Sequence, residues 1–131
     1  MAHKRKTKIK IKVGIVLTVS LIILLFFTPY QKIRIIYFTN SKCLLTVQTD
    51  RLIEEIKNDF GNRIYVREIE VSMYEDDPQN TEEVKQLRQE YQVFGVPVII
   101  INGKEFTREF TKNNLEQEIC KNFIVKSEVC Q

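Results

Sequence analysis

Ile33-Arg34-Ile35-Ile36-Tyr37-Phe38-Thr39-Asn40-Ser41-Lys42-Cys43-Leu44-Leu45-Thr46 passes from one structural period to another within a few residues. Ile33 to Phe38 is an apolar run of strand character. A helical pattern begins at or just after Cys43: Leu45, Leu52, Ile53, Ile56 and Phe60 recur at helical spacing, and Gly61-Asn62 ends it. A cysteine therefore sits at a strand-to-helix turn. Further along, Phe94-Gly95-Val96-Pro97-Val98-Ile99-Ile100-Ile101-Asn102-Gly103 places a proline at the mouth of a second apolar strand. Its run Pro97 to Ile101 has no polar position, which predicts burial on both faces and an interior place in a sheet.

Between and beyond these runs the pattern continues. Ile64 to Val71 reads as a strand, and Tyr74 to Thr81 is a polar loop with a turn-forming proline. Thr81 caps a second helix carrying Val84, Leu87 and Tyr91. Asn102-Gly103 is a hairpin dipeptide, with Glu105 to Phe110 as the return strand. Asn113 or Asn114 caps a last helix with Leu115, Ile119 and Phe123. The order β-α-β-α-β-β-α predicts an α/β fold around a mixed sheet, parallel at first and antiparallel at its edge.

This order, with Cys43 at its turn and Val96-Pro97 entering the later strand, resembles the thioredoxin-like superfamily from about Lys32 to Phe123. The resemblance implies a thioredoxin-like fold and thiol-disulfide oxidoreductase or isomerase-like activity. It makes Cys43 the nucleophile and Pro97 a cis proline facing it. It also gives Val96 the backbone groups that pair with a bound substrate. Thr46 stands where the family has a second cysteine, so the site is similar to the single-cysteine variants of glutaredoxin-like proteins. Lys42 stands where thioredoxins have tryptophan, and Tyr37 where they keep a buried acid.

The chemistry asked of these residues is specific. A thiol attacks a disulfide as thiolate, and a helix N-terminus favours negative charge there. Lys42 adds a neighbouring positive charge. Thr46, three residues on and on the same helix face, is expected to donate a hydrogen bond to the sulfur. Lys42, Val96 and Pro97 make up the expected substrate-binding surface. Of the three cysteines, Cys120 and Cys130 are the local pair and are expected to form a structural disulfide, leaving Cys43 as the free thiol. No fourth ligand or histidine accompanies that pair, so no metal is expected, and no cofactor.

The chain opens differently. Lys4, Arg5, Lys6, Lys8, Lys10 and Lys12 precede Val13 to Tyr30, eighteen residues without a charge. As a helix that run spans about 27 Å, against a bilayer core of ~30 Å. It ends in bulky residues with no small-x-small cleavage pattern, which favours an uncleaved anchor over a signal peptide. The expected organisation is a basic cytoplasmic tail (1–12), one transmembrane helix (13–30) and a thioredoxin-like domain (31–131). The basic flank holds the tail in the cytoplasm and sends the domain to the other side. Against an apolar span the tail's charge is topogenic, and nucleic acid is not an expected partner. All seventeen acids follow the span with fourteen of the twenty basic residues, so the domain is mildly acidic.

Phosphate-binding glycine loops, paired acids for hydrolysis and Ser-His arrangements are missing from the sequence. The expected partners are protein or small-molecule thiols and disulfides, and the membrane through residues 13–30. The sequence does not fix an oligomeric state. A redox-inactive interaction module, or a subunit of a membrane complex, is the alternative reading of the same residues.

Overall fold

The computed structural model describes residues 32–131 except 73 and 75. The tail and the apolar run 13–30 lie outside the described residues, and with them the expected anchor. Among the described residues no helix is long and apolar enough to cross a membrane.

Strand β1 (Ile33–Thr39) leads through a four-residue turn into helix α1 (Leu44–Phe60). Strand β2 (Ile64–Glu70), helix α2 (Glu82–Glu90), strands β3 (Val98–Ile101) and β4 (Lys104–Glu105), and helix α3 (Lys112–Lys121) follow. The sheet order is β2-β1-β3-β4, with β1 parallel to β2 and antiparallel to β3. Two interior strands therefore carry the core, and β3 is one of them, as its unbroken apolar run requires.

β1 divides the core by its two-residue period. Ile33, Ile35 and Tyr37 face one side, where Ile53, Ile56 and Phe60 of α1 and Leu115 and Ile119 of α3 pack against them. Phe38 faces the other side with Ile69, Val71, Val93 and Ile100, and Val84 and Leu87 of α2 close that layer. Gly61 ends α1 at a φ of 51°, where a side chain would be strained. Asn102 and Gly103 both take positive φ (48° and 81°), the requirement of a two-residue hairpin turn that matches strand twist.

Two local expectations are corrected. The return strand is only Lys104–Glu105, not Glu105 to Phe110. Phe106 and Phe110 stack on each other at 5.9 Å and turn toward the α1/α3 core, while Arg108 bonds Asn114 and Gln117 of α3. Core packing and α3 thus draw the chain off the sheet. The cap of α3 is Thr111, whose hydroxyl accepts from the Asn114 N–H, rather than Asn113 or Asn114. The Asn114 amide is instead spent on the carbonyl of Glu109.

Cys120, in the last turn of α3, is joined to Cys130 across a Cα separation of 5.5 Å. Asn102 Nδ2 donates to Asn122 Oδ1, which puts the end of α3 beside the start of β1. Cys43 follows the opposite end of that strand, roughly 20 Å away for seven extended residues. Neither bonded cysteine is therefore placed to resolve a disulfide formed on Cys43.

Two outcomes follow from this packing. Ile35→Ala should lower the unfolding free energy by about 2–5 kcal/mol, whereas Leu44→Ala, at an exposed position, should change it by less than about 0.5 kcal/mol; urea denaturation measures both. Replacing Cys120 and Cys130 together by serine should cost up to about 3 kcal/mol and leave the alkylation rate of Cys43 unchanged. A large fall in that rate would show that the disulfide supports the thiol.

Candidate functional site

Asn40 organises the turn that presents Cys43. Its side chain is buried and donates from Nδ2 to the Val71 carbonyl at 2.7 Å, fastening the turn to the chain leaving β2. Its Oδ1 accepts from the Lys42 N–H at 2.8 Å. Its own carbonyl accepts from the Cys43 N–H at 2.9 Å and from the Thr46 hydroxyl at 2.7 Å. One residue thus closes the turn, sets the first helical residue and occupies the hydroxyl of the helix's first turn. Ser41 is held to Glu70 through both its N–H and its hydroxyl.

Cys43 is the N-cap residue of α1, with extended backbone angles (φ −97°, ψ 121°), and its sulfur makes no capping hydrogen bond. It is half-buried and is the free cysteine among the described residues. Thr46 corrects the sequence reading. Its hydroxyl was expected to donate to the sulfur, but it is fully buried and donates to the carbonyls of Asn40 and Cys43, each at 2.7 Å. A hydroxyl has one proton, and here backbone oxygens take it. The physical reason is burial: Thr46 faces inward, where the Asn40 and Cys43 carbonyls accept its proton beside the N–H groups of Cys43 and Thr46, and the half-buried sulfur is left out.

The Val96-Pro97 bond is cis. Phe38 of β1 lies opposite Val98 of β3, so Pro97 arrives at the same sheet end as the turn that carries Cys43. Among the described residues the backbone groups of Val96 make no hydrogen bond. Lys42 is exposed, and its charge reaches Asp77, whose carboxyl is held below the usual carboxylate range by the Gln79 N–H first, then by Ser72 and Lys42. The loop bearing Asp77 is fixed by buried Asn80, whose amide bonds the Ser72 N–H and the carbonyls of Ser72 and Tyr74. The two residues that follow the thiol in the chain are apolar and open to solvent, Leu44 87% exposed and Leu45 70%.

Beneath α1 lies a carboxylate that sequence reasoning missed. Asp50 Oδ1 accepts from the Tyr37 hydroxyl at 2.7 Å and from Thr39 Oγ1 at 3.2 Å. Burial pushes the Tyr37 hydroxyl far above the ordinary tyrosine range; the Thr39 hydroxyl offsets this in part, and Asp50 adds to it. The signal lay in the period: Asp50 is on the inward face of α1, between Thr46 and Ile53. A charge on an apolar face needs a buried donor. Among the described residues, no group of three or more His, Cys, Asp or Glu could hold a metal ion.

No protein-family model matches the sequence, and no curated protein matches it. Solved structures do. A malarial protein superposes with a TM-score of 0.53 at 17% identity, over 72% of this chain and 100% of that one. Tryparedoxin I from Crithidia fasciculata gives 0.50 at 17% identity, over 73% and 81%. A thioredoxin from Arabidopsis thaliana in its oxidised state gives 0.50 at 14% identity, over 70% and 75%. At such identities the likeness is one of fold alone: the chain has a thioredoxin-like fold.

The Tyr37–Asp50 pair has a pH signature. The tyrosine is neutral when folded and its pKa is raised above the ~10 of an unfolded tyrosine. Above that pH the unfolded state binds fewer protons than the native one, so stability falls as pH rises. The stabilisation is complete below pH ~10 and is lost above it. Tyr37→Phe should flatten this alkaline decline in urea midpoints measured between neutral and strongly alkaline pH. An unchanged decline would place the titrating group elsewhere.

Proposed function

We propose that the chain is a membrane-anchored thioredoxin-like protein whose Cys43 carries out thiol-disulfide exchange outside the cytoplasm. The observation that carries this reading is the position of a free cysteine at the N-cap of α1, at the same end of β1 as the cis Val96-Pro97 bond. Residues 13–30 are the anchor, with the basic tail 1–12 in the cytoplasm.

The Cys43 thiolate attacks one sulfur of a substrate disulfide, forms a mixed disulfide and expels the other sulfur as thiolate. The open backbone of Val96 and the exposed side chains of Leu44 and Leu45 hold the substrate chain beside the sulfur. With Thr46 in place of a second cysteine, release waits for an external thiolate, which attacks the substrate sulfur, forms a new disulfide with it and expels Cys43 as thiolate. Two-cysteine sites escape faster by intramolecular attack, where the effective concentration is high. Isomerisation and exchange with small thiols are therefore favoured over net reduction of protein disulfides.

A second reading, a redox-silent module that binds partners through the same surface, draws support from Thr46. Its proton is held by backbone carbonyls, so it does nothing for a sulfur anion.

Mixed-disulfide trapping and insulin-type reduction separate the two. Cys43→Ser should abolish exchange. Thr46→Cys should raise reductase turnover with a dithiol by on the order of tenfold or more, because it supplies the intramolecular thiol. If the wild type traps no thiol partner, or Cys43→Ser exchanges as before, the module reading takes its place.

A further inference from the structure

The end of the domain where the chain enters has a charge the rest lacks. Four segments meet there. The Arg34 N–H donates to Asn102 Oδ1 at 3.0 Å, and Asn102 Nδ2 donates to Asn122 Oδ1 at 3.3 Å. The Arg63 guanidinium lies 4.7 Å from the Phe123 ring centroid and donates to the Val125 carbonyl at 3.1 Å. Across 32–34, 60–65, 101–104 and 121–126 there are six basic residues, Lys32, Arg34, Arg63, Lys104, Lys121 and Lys126, and no acid. The remainder of the domain holds eight basic residues and all seventeen acids. The acids that border these segments are Asp59, which pairs with Lys112, Glu105, which follows Lys104, Glu118, which pairs with Lys121, and Glu128, two residues past Lys126.

Apolar side chains stand out from the same end. Ile124 is 82% exposed and Val125 49%, although Phe123 between them and the core is buried. Tyr65 is exposed at the start of β2. Two adjacent exposed aliphatics flanked by lysines, with an exposed tyrosine nearby, are what an interface between water and lipid accommodates. A second copy of the chain fits this surface poorly, since it would bring two six-charge faces together.

We infer that this end is an interfacial surface lying on an anionic lipid bilayer, with Ile124 and Val125 among the acyl chains and the basic residues against headgroup phosphates. The inference rests on the anchored reading of residues 13–30, because only Gln31 separates that run from Lys32. One extended residue reaches no more than about 3.6 Å, so an anchored domain has no length to stand away from the surface. The acidic remainder, repelled by the same lipids, turns Cys43 and its apolar surroundings outward.

The chain has no tryptophan, so one indole reports one position. The full chain carrying Ile124→Trp, and separately Leu44→Trp, would be placed in vesicles of anionic lipid with brominated acyl chains. The inference expects the indole at position 124 to lose more than half its emission and the indole at position 44 to keep it. Replacing Lys121 and Lys126 by glutamate should lift the surface away, at about fivefold in the lying-to-lifted ratio per basic residue removed, and restore emission. Equal emission from both positions overturns the inference. So does an indole at position 124 that is shielded from aqueous iodide yet unquenched by the lipid, the mark of self-association. An alkaline wash tests the anchor separately. A chain that resists the wash without quenching keeps its anchor and loses the interface; a chain that is quenched and then washed off keeps the interface and loses the anchor.

Discussion

Phe38 pairs with Ile69 on one side and with Val98 on the other, and these pairings fix what the rest of the molecule can do. β1 is parallel to β2 and antiparallel to β3, so the chain leaving β1 and the chain entering β3 meet at one end of the sheet. A shift of one residue between β1 and β3 would move the proline along the strand and send Phe38 to the wrong core. The register is held because both faces of β1 are buried: Ile33, Ile35 and Tyr37 fill one core and Phe38 the other. The site's geometry is thus a consequence of core packing, to which Val96 itself adds against the second core.

Within that frame, hydrogen-bond supply decides the character of the turn. Asn40 spends its amide on Val71, its side-chain oxygen on Lys42 and its carbonyl on Cys43 and Thr46. The Thr46 hydroxyl is a second donor to carbonyls that already accept backbone N–H groups, and its one proton is thereby turned away from the half-buried sulfur. The same logic holds Asp50 under α1. A carboxylate facing a core is tolerated because Tyr37 and Thr39 both donate to it. A tyrosine where the resemblance expects an acid is therefore matched by an acid on the facing helix.

What was legible in the sequence follows from what carries a period. β1, α1 and the apolar β3 were visible because burial writes itself into spacing, and Asn102-Gly103 because only certain residues take positive φ twice in succession. The return strand was misjudged since Phe106 and Phe110 are apolar for the sake of a core contact, not a sheet face. Thr111 was passed over for two asparagines that cap equally well in isolation; the choice turns on where the chain arrives from β4. Asn40, Asp50 and Asn80 act through partners up to 31 residues away or across a helix-sheet interface. Single polar residues have no period, so their roles emerge only once the packing is known.

The two ends of β1 differ in chemistry as well as in position. One end gathers a free thiol, open backbone at Val96 and exposed apolar side chains, all features that stabilise nothing in the folded chain. The other gathers a disulfide, a stacked Phe60–Phe123 pair at 6.1 Å and a guanidinium over Phe123, all of which do. The separation has a physical advantage for a protein whose work would be thiol exchange. Such exchange proceeds only where a thiolate can reach a disulfide sulfur, and the domain's own bond is roughly a strand's length, ~20 Å, from Cys43. A protein of that kind can hold one disulfide closed for stability while another sulfur exchanges, because the sheet keeps them apart.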